Sequence, residues 1–211
     1  MASPVPPALG HYLFLVRIIL FVVLLPAGIQ NLSMATYEGT SAQRIGNLKE
    51  RAPEMLQRVE RETAQILAAT PPQANADGYH ARRLYTLALR MEDMGWDHPD
   101  VLAWVGALTQ LFGGGLLLLG LMTRIWGFSL CVVVSALFVL DSWPLIAASP
   151  TAFLHLDKLA ANQVGLHLCL FGLSLAMVVS GAGKMSLDGM IVSKLQSGGA
   201  APDAPGDDDD D

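Results

Sequence analysis

The chain has 211 residues, of which 52% are hydrophobic and 15% are charged, and its mean hydropathy is +0.42. Soluble domains carry about 25% charged residues, so this composition argues against a soluble enzyme and against a disordered chain. The formal charge of −6 comes largely from the terminal aspartate run 207–211, and no basic patch with interleaved aromatic residues indicates a nucleic-acid partner.

Four apolar stretches have the length of membrane-spanning helices, because a bilayer core about 30 Å thick needs about 20 apolar residues per helix. They cover residues 11–30, 99–123, 124–147 and 159–180. We therefore predict an all-α fold, a bundle of four transmembrane helices with both termini on one side. The first span is expected to be retained, because residues 1–10 contain no Lys or Arg and Arg17 interrupts the apolar run.

The insertion between the first two spans, residues 31–98, is too long to lack structure of its own. Apolar residues recur in it at spacings of three and four, at Ile45, Leu48, Ala52, Met55 and Val59 and again at Leu84, Leu87, Met91 and Met94. This period predicts two amphipathic helices, forming an antiparallel helical hairpin outside the membrane. Pro53 should begin a helix or kink one, and Pro71 and Pro72 should end the first arm.

The role of this insertion stays open at the level of sequence. Its apolar stripes can pack on each other, lie on the bilayer surface, or contact other membrane or peripheral protein subunits through residues 40–95. Short segments on the terminal side carry Arg124, Lys184 and Lys194, against Lys158 alone in the other short loop. The positive-inside rule then favours cytoplasmic termini and an insertion on the outer side.

The remaining segments are connections and ends. Spans two and three are separated by little more than Thr123 and Arg124, which predicts a tight antiparallel hairpin. The other segments are the N-terminal residues 1–10, a short loop 148–158, a post-helix segment 181–196 and an acidic tail 197–211 that we expect to be disordered. Cys131 and Cys169 lie in apolar stretches, so neither a disulfide nor a metal site is predicted.

Polar side chains inside the apolar spans are the candidate site, since such groups are costly in lipid. Gly106, Gln110 and Gly114 share one helical face, as do Gln163 and His167. We expect Gln110, Gln163, His167 and Asp141 to converge in the half of the bundle nearest the insertion. Arg17 should enter from the terminal side, in the half that also receives Arg124 and Asp188.

Each of these groups also has a purely structural interpretation. The amides and the imidazole can form hydrogen bonds between helices that specify packing, Arg17 can extend to the headgroups, and Asp141 can lie at the interface beside Trp143. No nucleophile elbow, zinc-protease motif, phosphate loop or dinucleotide fingerprint is present, so no catalytic residue is predicted. A haem at His167, with His155 as second ligand, has little support.

Three motifs together resemble the DoxX family. They run from Val16 to Leu20 (VRIIL), from Gly113 to Arg124 (GGGLLLLGLMTR) and from Gly181 to Asp188 (GAGKMSLD). The positions that carry the family pattern are Arg17, Thr123, Arg124, Gly181, Gly183, Ser186 and Asp188. The resemblance covers the four spans and implies a small four-helix protein of the bacterial cytoplasmic membrane, associated with quinone-linked redox chemistry.

Departures from the family pattern keep two functions open. Gln110 stands where the family often has a glutamate, the lysine often found after span one is absent, and the insertion is longer than usual. The first hypothesis is a membrane subunit of a quinone-linked oxidoreductase complex, with Gln110, Gln163, His167 and Arg17 as quinone-binding residues. The alternative is a non-catalytic structural or assembly subunit, held in a larger membrane complex through its insertion.

Overall fold

The computed structural model describes residues 7–66, 74–75, 78–147, 158–181 and 186–187. Four of its helical stretches are long and apolar enough to cross a membrane, namely His11–Leu32, Pro99–Leu119, Thr123–Ala147 and Lys158–Ser180. The prediction of a largely helical fold with four membrane-spanning helices is confirmed. The N-terminal residues 1–6, most of the loop 148–158, most of the segment 181–196 and the tail 197–211 lie outside the described residues.

The first span is helix α1, Pro7–Leu32, and the second is α5, Pro99–Leu119. The third consists of α6, Thr123–Leu137, a π-helical turn at Phe138–Ser142 and a short α7, Trp143–Ala147. The fourth is α8, Lys158–Ser180. Helix α1 packs beside α5 and α8, and α6 packs beside both α5 and α8, so the four spans form a bundle.

Leucine and glycine together set the packing of the bundle. Its core contains Leu20, Leu24, Leu117, Leu130 and Met177. Gly28 allows the closest approach, because a Cβ atom at that position would lie 2.8 Å from the backbone nitrogen of Leu111. Helices that are already in lipid gain no hydrophobic free energy when they associate. Small residues at a helix crossing stabilise the bundle instead, because they let the two backbones make close van der Waals contact.

The hairpin between spans two and three lies slightly earlier in the chain than the sequence suggested. Helix α5 ends at Leu119 and α6 begins at Thr123, so the turn occupies Gly120 to Met122. Gly120 has φ 71° and ends α5 in the left-handed conformation that glycine adopts most readily. Thr123 and Arg124 therefore belong to the first turn of α6.

The insertion contains strands as well as helices, which corrects the prediction of a simple helical hairpin. Its elements are β1, Met34–Tyr37, α2, Gly39–Arg51, α3, Glu54–Ile66, β2, Ala74–Asn75, β3, Gly78–Arg82, and α4, Leu84–Asp93. The strands form an antiparallel sheet in the order β1-β3-β2, and Met34 is paired with Arg82. This pairing joins residues more than forty positions apart, which a local periodicity does not reveal.

The insertion has its own hydrophobic core, which continues into the second span. Ile45, Leu48 and Leu84 are buried in it, and it extends to Trp104 and Ala107 of α5. The two stripes named from sequence therefore pack mainly on each other and on α5. Residues Met55 and Met94 are exceptions, with 76% and 40% of their surface exposed.

The break between α2 and α3 explains the exception at Met55. Pro53 lies between the two helices, so the helical phase does not continue from Ile45 to Val59. Leu56 is buried where the uninterrupted pattern had placed Met55.

Arg82 connects the insertion to the end of the first span. Its side chain is 1% exposed, donates a 2.7 Å hydrogen bond from Nη1 to the carbonyl of Leu32, and lies over the ring of Trp104. The last carbonyls of a helix lack partners within the helix and attract positive charge. The guanidinium therefore caps α1.

Candidate functional site

Gln110 lies at the contact between the first two spans. It is 3% exposed, and its Oε1 accepts a 2.8 Å hydrogen bond from Nδ2 of Asn31 near the end of α1. Gly28 of α1 and Gly114 of α5 flank this bond with close backbone approaches to the opposite helix. The predicted inward orientation of Gln110 agrees with this burial, whereas Asn31 was not identified as its partner.

A cavity of about 340 Å³ lies between the insertion and the second and third spans. Its lining is almost entirely apolar: Leu87, Met91, Trp96, Leu102, Val105, Gly106, Gln110, Val132, Val133, Ser135, Ala136, Leu137 and Val139. Gln110 contributes an amide to this wall. Gly106 also lines the cavity, and a Cβ atom added there would meet nothing within 4 Å.

His167 forms a separate polar contact between the third and fourth spans. Its Nδ1 lies 2.8 Å from Oγ of Ser142, and the two residues are 9% and 0% exposed. Ser142 ends the π-helical turn of the third span. The hydrogen bond fixes the orientation of the imidazole ring, because one ring nitrogen is assigned to the serine.

Asp141, the residue before Ser142, forms a contact with the insertion. Nη1 of Arg90 on α4 donates a hydrogen bond to Oδ1 of Asp141. The aspartate side chain is 17% exposed and the arginine side chain 53% exposed. The π-helical turn therefore presents one polar residue to the insertion and the next to α8, and π turns of this kind are frequent at functional sites.

Arg17 lies at the other end of the bundle. It is 1% exposed, and its Nη1 is packed against Gly120, where a Cβ atom would approach it to 2.7 Å. Ser186 contacts the same glycine, and Arg124 is packed against Gly181. The family-pattern residues Arg17, Thr123, Arg124, Gly181 and Ser186 thus cluster at the terminal side, while Gly183 and Asp188 lie outside the described residues.

The predicted convergence of polar groups is only partly seen. Gln110 and His167 are each buried with a partner of their own, Gln163 is half-buried, and Arg17 belongs to the opposite half. Of the four residues predicted to bind quinone, Gln110 alone lines the cavity. Among the described residues, no group of three or more His, Cys, Asp or Glu side chains is arranged to hold a metal ion.

A second polar cluster lies in the insertion, outside the membrane. Nζ of Lys49 is 2.9 Å from Oε1 of Glu60 and lies over the rings of Tyr79 and Tyr85, and the Tyr85 hydroxyl donates a hydrogen bond to Oε2 of Glu60. Burial lowers the pKa of Lys49 and raises the pKa of both tyrosines. These contacts join α2, α3, β3 and α4, so the cluster stabilises the insertion.

The DoxX family model matches residues 78–143, from strand β3 through α4, α5 and α6 to the start of α7. Within these residues the chain is similar to the DoxX family. The matched segment contains every residue that lines the cavity, together with Arg90, Asp141 and the motif that ends at Arg124. A comparison with curated proteins found no match, and a comparison with solved structures found none.

The DoxX match covers less than a third of the chain and leaves α1 and α8 outside it. Two features of the matched segment have no local sequence pattern, namely the wall that α4 contributes to the cavity and the pairing of Arg90 with Asp141. The sequence offered one signal for this pairing, because Arg90 in the insertion and Asp141 near the end of the third span carry opposite charges. Sequence alone did not show that α4 packs on α5 and reaches the third span through Arg90.

Proposed function

We propose that this protein is a DoxX-family membrane subunit of a quinone-linked redox complex in the bacterial cytoplasmic membrane. The observation that carries the proposal is the apolar cavity of about 340 Å³ with the Gln110 amide in its wall. Sites for small apolar ligands combine hydrophobic walls with a few polar groups that fix orientation, and this cavity has that composition. The association with quinones comes from the family resemblance.

The residues present fit the chemistry of a quinone. Oε1 of Gln110 accepts the hydrogen bond of Asn31, so the Nε2–H groups are the donors with which Gln110 would bind a quinone oxygen. Leu102, Val105 and Val132 would contact the ring and the first part of its isoprenoid tail. The quinone supplies the redox chemistry when bound, and the electrons come from a partner subunit.

Gly106 provides a direct test. A leucine at this position would project into the cavity without a clash at Cβ, because nothing lies within 4 Å. Wild-type protein in mild detergent should melt at a higher temperature with a short-chain quinone, by an amount equivalent to about 2.7 kcal/mol at a hundred times Kd. Gly106→Leu should abolish this shift.

Gly115→Leu is the matched control for this experiment. Gly115 is on the same helix, also has nothing within 4 Å of an added Cβ, and does not line the cavity. This variant should keep the quinone-dependent shift. Absence of both bound quinone and a shift in the wild-type protein would contradict the proposed function.

A non-catalytic assembly subunit is the second candidate, favoured by one specific observation. Gln110 and His167 both have hydrogen-bond partners on neighbouring spans, which is typical of side chains that specify helix packing. In that case Gln110→Ala and His167→Ala should leave the activity of the complex intact. Under the quinone proposal, Gln110→Ala should weaken quinone binding while the protein remains folded.

The proposed subunit has cytoplasmic termini and contacts other subunits through residues 40–95. The charges of the short segments support this orientation, and the exposed Met55 and Ile66 of α3 are apolar side chains that a partner would cover. Mass spectrometry of a native pull-down would identify the partner subunits. Reporter fusions within residues 40–95 that scored as cytoplasmic would reverse the orientation.

A further inference from the structure

The cavity has one wall that faces lipid. Val105 of α5 and Val132 of α6 line it, both belong to helices long and apolar enough to span a membrane, and they are 53% and 54% exposed. Leu102 and Val139 are also exposed on this side. Exposed apolar side chains on membrane-spanning helices contact acyl chains in a bilayer, so this wall is the side of the cavity nearest the lipid.

The wall nearest the aqueous phase comes from the insertion. Leu87 and Met91 of α4 line the cavity, together with Trp96 in the connection to α5. Helix α4 thus covers the cavity where it would otherwise open to water. Helix α4 packs on α5, so its contact with the third span across the cavity decides whether water enters.

Arg90 and Asp141 form the polar contact at this boundary. Arg90 precedes the cavity residue Met91 and follows Leu87 by three positions, and Asp141 follows the cavity residue Val139 by two. The position of Asp141 is fixed from the bundle side, because the next residue, Ser142, is hydrogen bonded to His167 of α8. The ion pair therefore connects α4, which covers the cavity on its aqueous side, to the π-helical turn of the third span.

We propose that the cavity receives its ligand laterally from the bilayer, and that the Arg90–Asp141 ion pair closes the cavity on its aqueous side. The ligand class that this arrangement selects is a lipid-soluble molecule with a small polar head, and soluble metabolites are excluded. The inference rests on the proposed function for the identity of the ligand as a quinone. The closing contact and the lateral opening are separate claims about the same cavity.

The test uses the full chain in detergent micelles, with a reporter cysteine at Gly106 and with Cys131 and Cys169 replaced by alanine. A charged, membrane-impermeant thiol reagent should modify Gly106→Cys slowly while the ion pair is intact. Arg90→Gln and Asp141→Asn should each raise the modification rate about fivefold, since a partly exposed ion pair contributes up to about 1 kcal/mol. An apolar maleimide should react faster than the charged reagent and at an equal rate in all variants.

Arg44→Gln is the matched control. Arg44 of α2 binds Glu92 and Asp93, which lie in the same last turn of α4 as Arg90 but do not line the cavity and do not contact the third span through this pair, so its loss should leave the rate unchanged. The exchange of the two residues, Arg90→Asp with Asp141→Arg, should restore slow modification. The same increase in Arg44→Gln, or no increase in Arg90→Gln, would overturn the closing role.

Lateral entry, the closing ion pair and quinone binding are contradicted by different results. Slow reaction of the apolar maleimide in the protein with the intact ion pair would overturn lateral entry. Protection of Gly106→Cys by a short-chain quinone tests the identity of the ligand. If quinone gives no protection while the ion-pair variants still admit the charged reagent, the quinone proposal fails and the closing contact stands.

Discussion

The insertion and the bundle differ in where their large apolar side chains lie. In the described part of the insertion, the large apolar side chains that are exposed are Met55, Ile66 and Met94, whereas the spans expose many, including Val22, Phe112 and Phe128. The spans also bury polar side chains, among them Arg17, Gln110 and His167, and the insertion buries Arg82. This difference is expected if water surrounds the insertion and lipid surrounds the four spans.

The difference teaches what holds each region together. Apolar burial from water stabilises the insertion, at about 25 cal/mol for each Å². That term is absent between helices already in lipid, where close packing and hydrogen bonds between helices replace it. Substitutions that remove apolar volume should therefore be most costly in the insertion, and substitutions that add volume most costly in the bundle.

The largest effect is expected for Leu84→Ala. Leu84 is fully buried in the core of the insertion, and removing such a side chain costs about 2–5 kcal/mol. Thermal unfolding followed by near-ultraviolet circular dichroism should show a corresponding loss. Met94→Ala, at a 40% exposed position one helical turn beyond Met91, should change the stability little. Equal losses in the two variants would contradict the core assigned to the insertion.

A slightly smaller effect is expected for Gly28→Ala in the bundle. The added methyl group would lie 2.8 Å from the backbone nitrogen of Leu111, so α1 and α5 must separate, at a cost of about 1–3 kcal/mol. The melting temperature in detergent measures this loss. Gly115→Ala adds the same methyl group where nothing lies within 4 Å, and it should be neutral or stabilising. A neutral Gly28→Ala would sink the close-packing account of this crossing.

The smallest expected effect is a loss of stability of the insertion at alkaline pH. The folded pKa of Tyr85 lies above its unfolded value of about 10, so its stabilising contribution is present below that pH and is lost as pH rises. Lys49 acts in the opposite direction, because its folded pKa is lowered. Tyr85→Phe removes the tyrosine contribution and costs about 1 kcal/mol at neutral pH through the lost hydrogen bond to Glu60.

This pH dependence is measured from melting temperatures between about pH 8 and about pH 11, which bracket the ordinary tyrosine pKa. The melting temperature of the wild-type protein should fall more steeply over this range than that of Tyr85→Phe. Parallel curves for the two proteins would show that Tyr85 titrates normally in the folded state.

Much of the bundle was predictable because lipid imposes a simple rule of length and hydropathy. Four helices followed from the apolar runs, and the inward orientation of Gln110 and His167 followed from the cost of polar groups in lipid. Their partners Asn31 and Ser142 were not predictable, because helical spacing shows which residues share a face and not which faces meet. The register between spans depends on tertiary packing.

The insertion was less predictable for a different physical reason. Its helices followed from a period of three and four, but β1 has only four residues and pairs with a strand more than forty positions later. The cavity was missed for a related reason, since its wall combines α4 of the insertion with two spans. Long-range contacts of this kind leave no local pattern in the sequence.

The contact between Arg82 and Leu32 has a consequence for shortening this protein. The carbonyl that ends the first span is capped from fifty residues further along the chain, and the same guanidinium covers Trp104 of the second span. A truncated protein with residues 34 to 93 replaced by a flexible linker would leave an indole and a helix end without their cover at the headgroup boundary. The excised segment is therefore a structural part of the membrane domain, and a minimal bundle requires a new residue to take the place of Arg82.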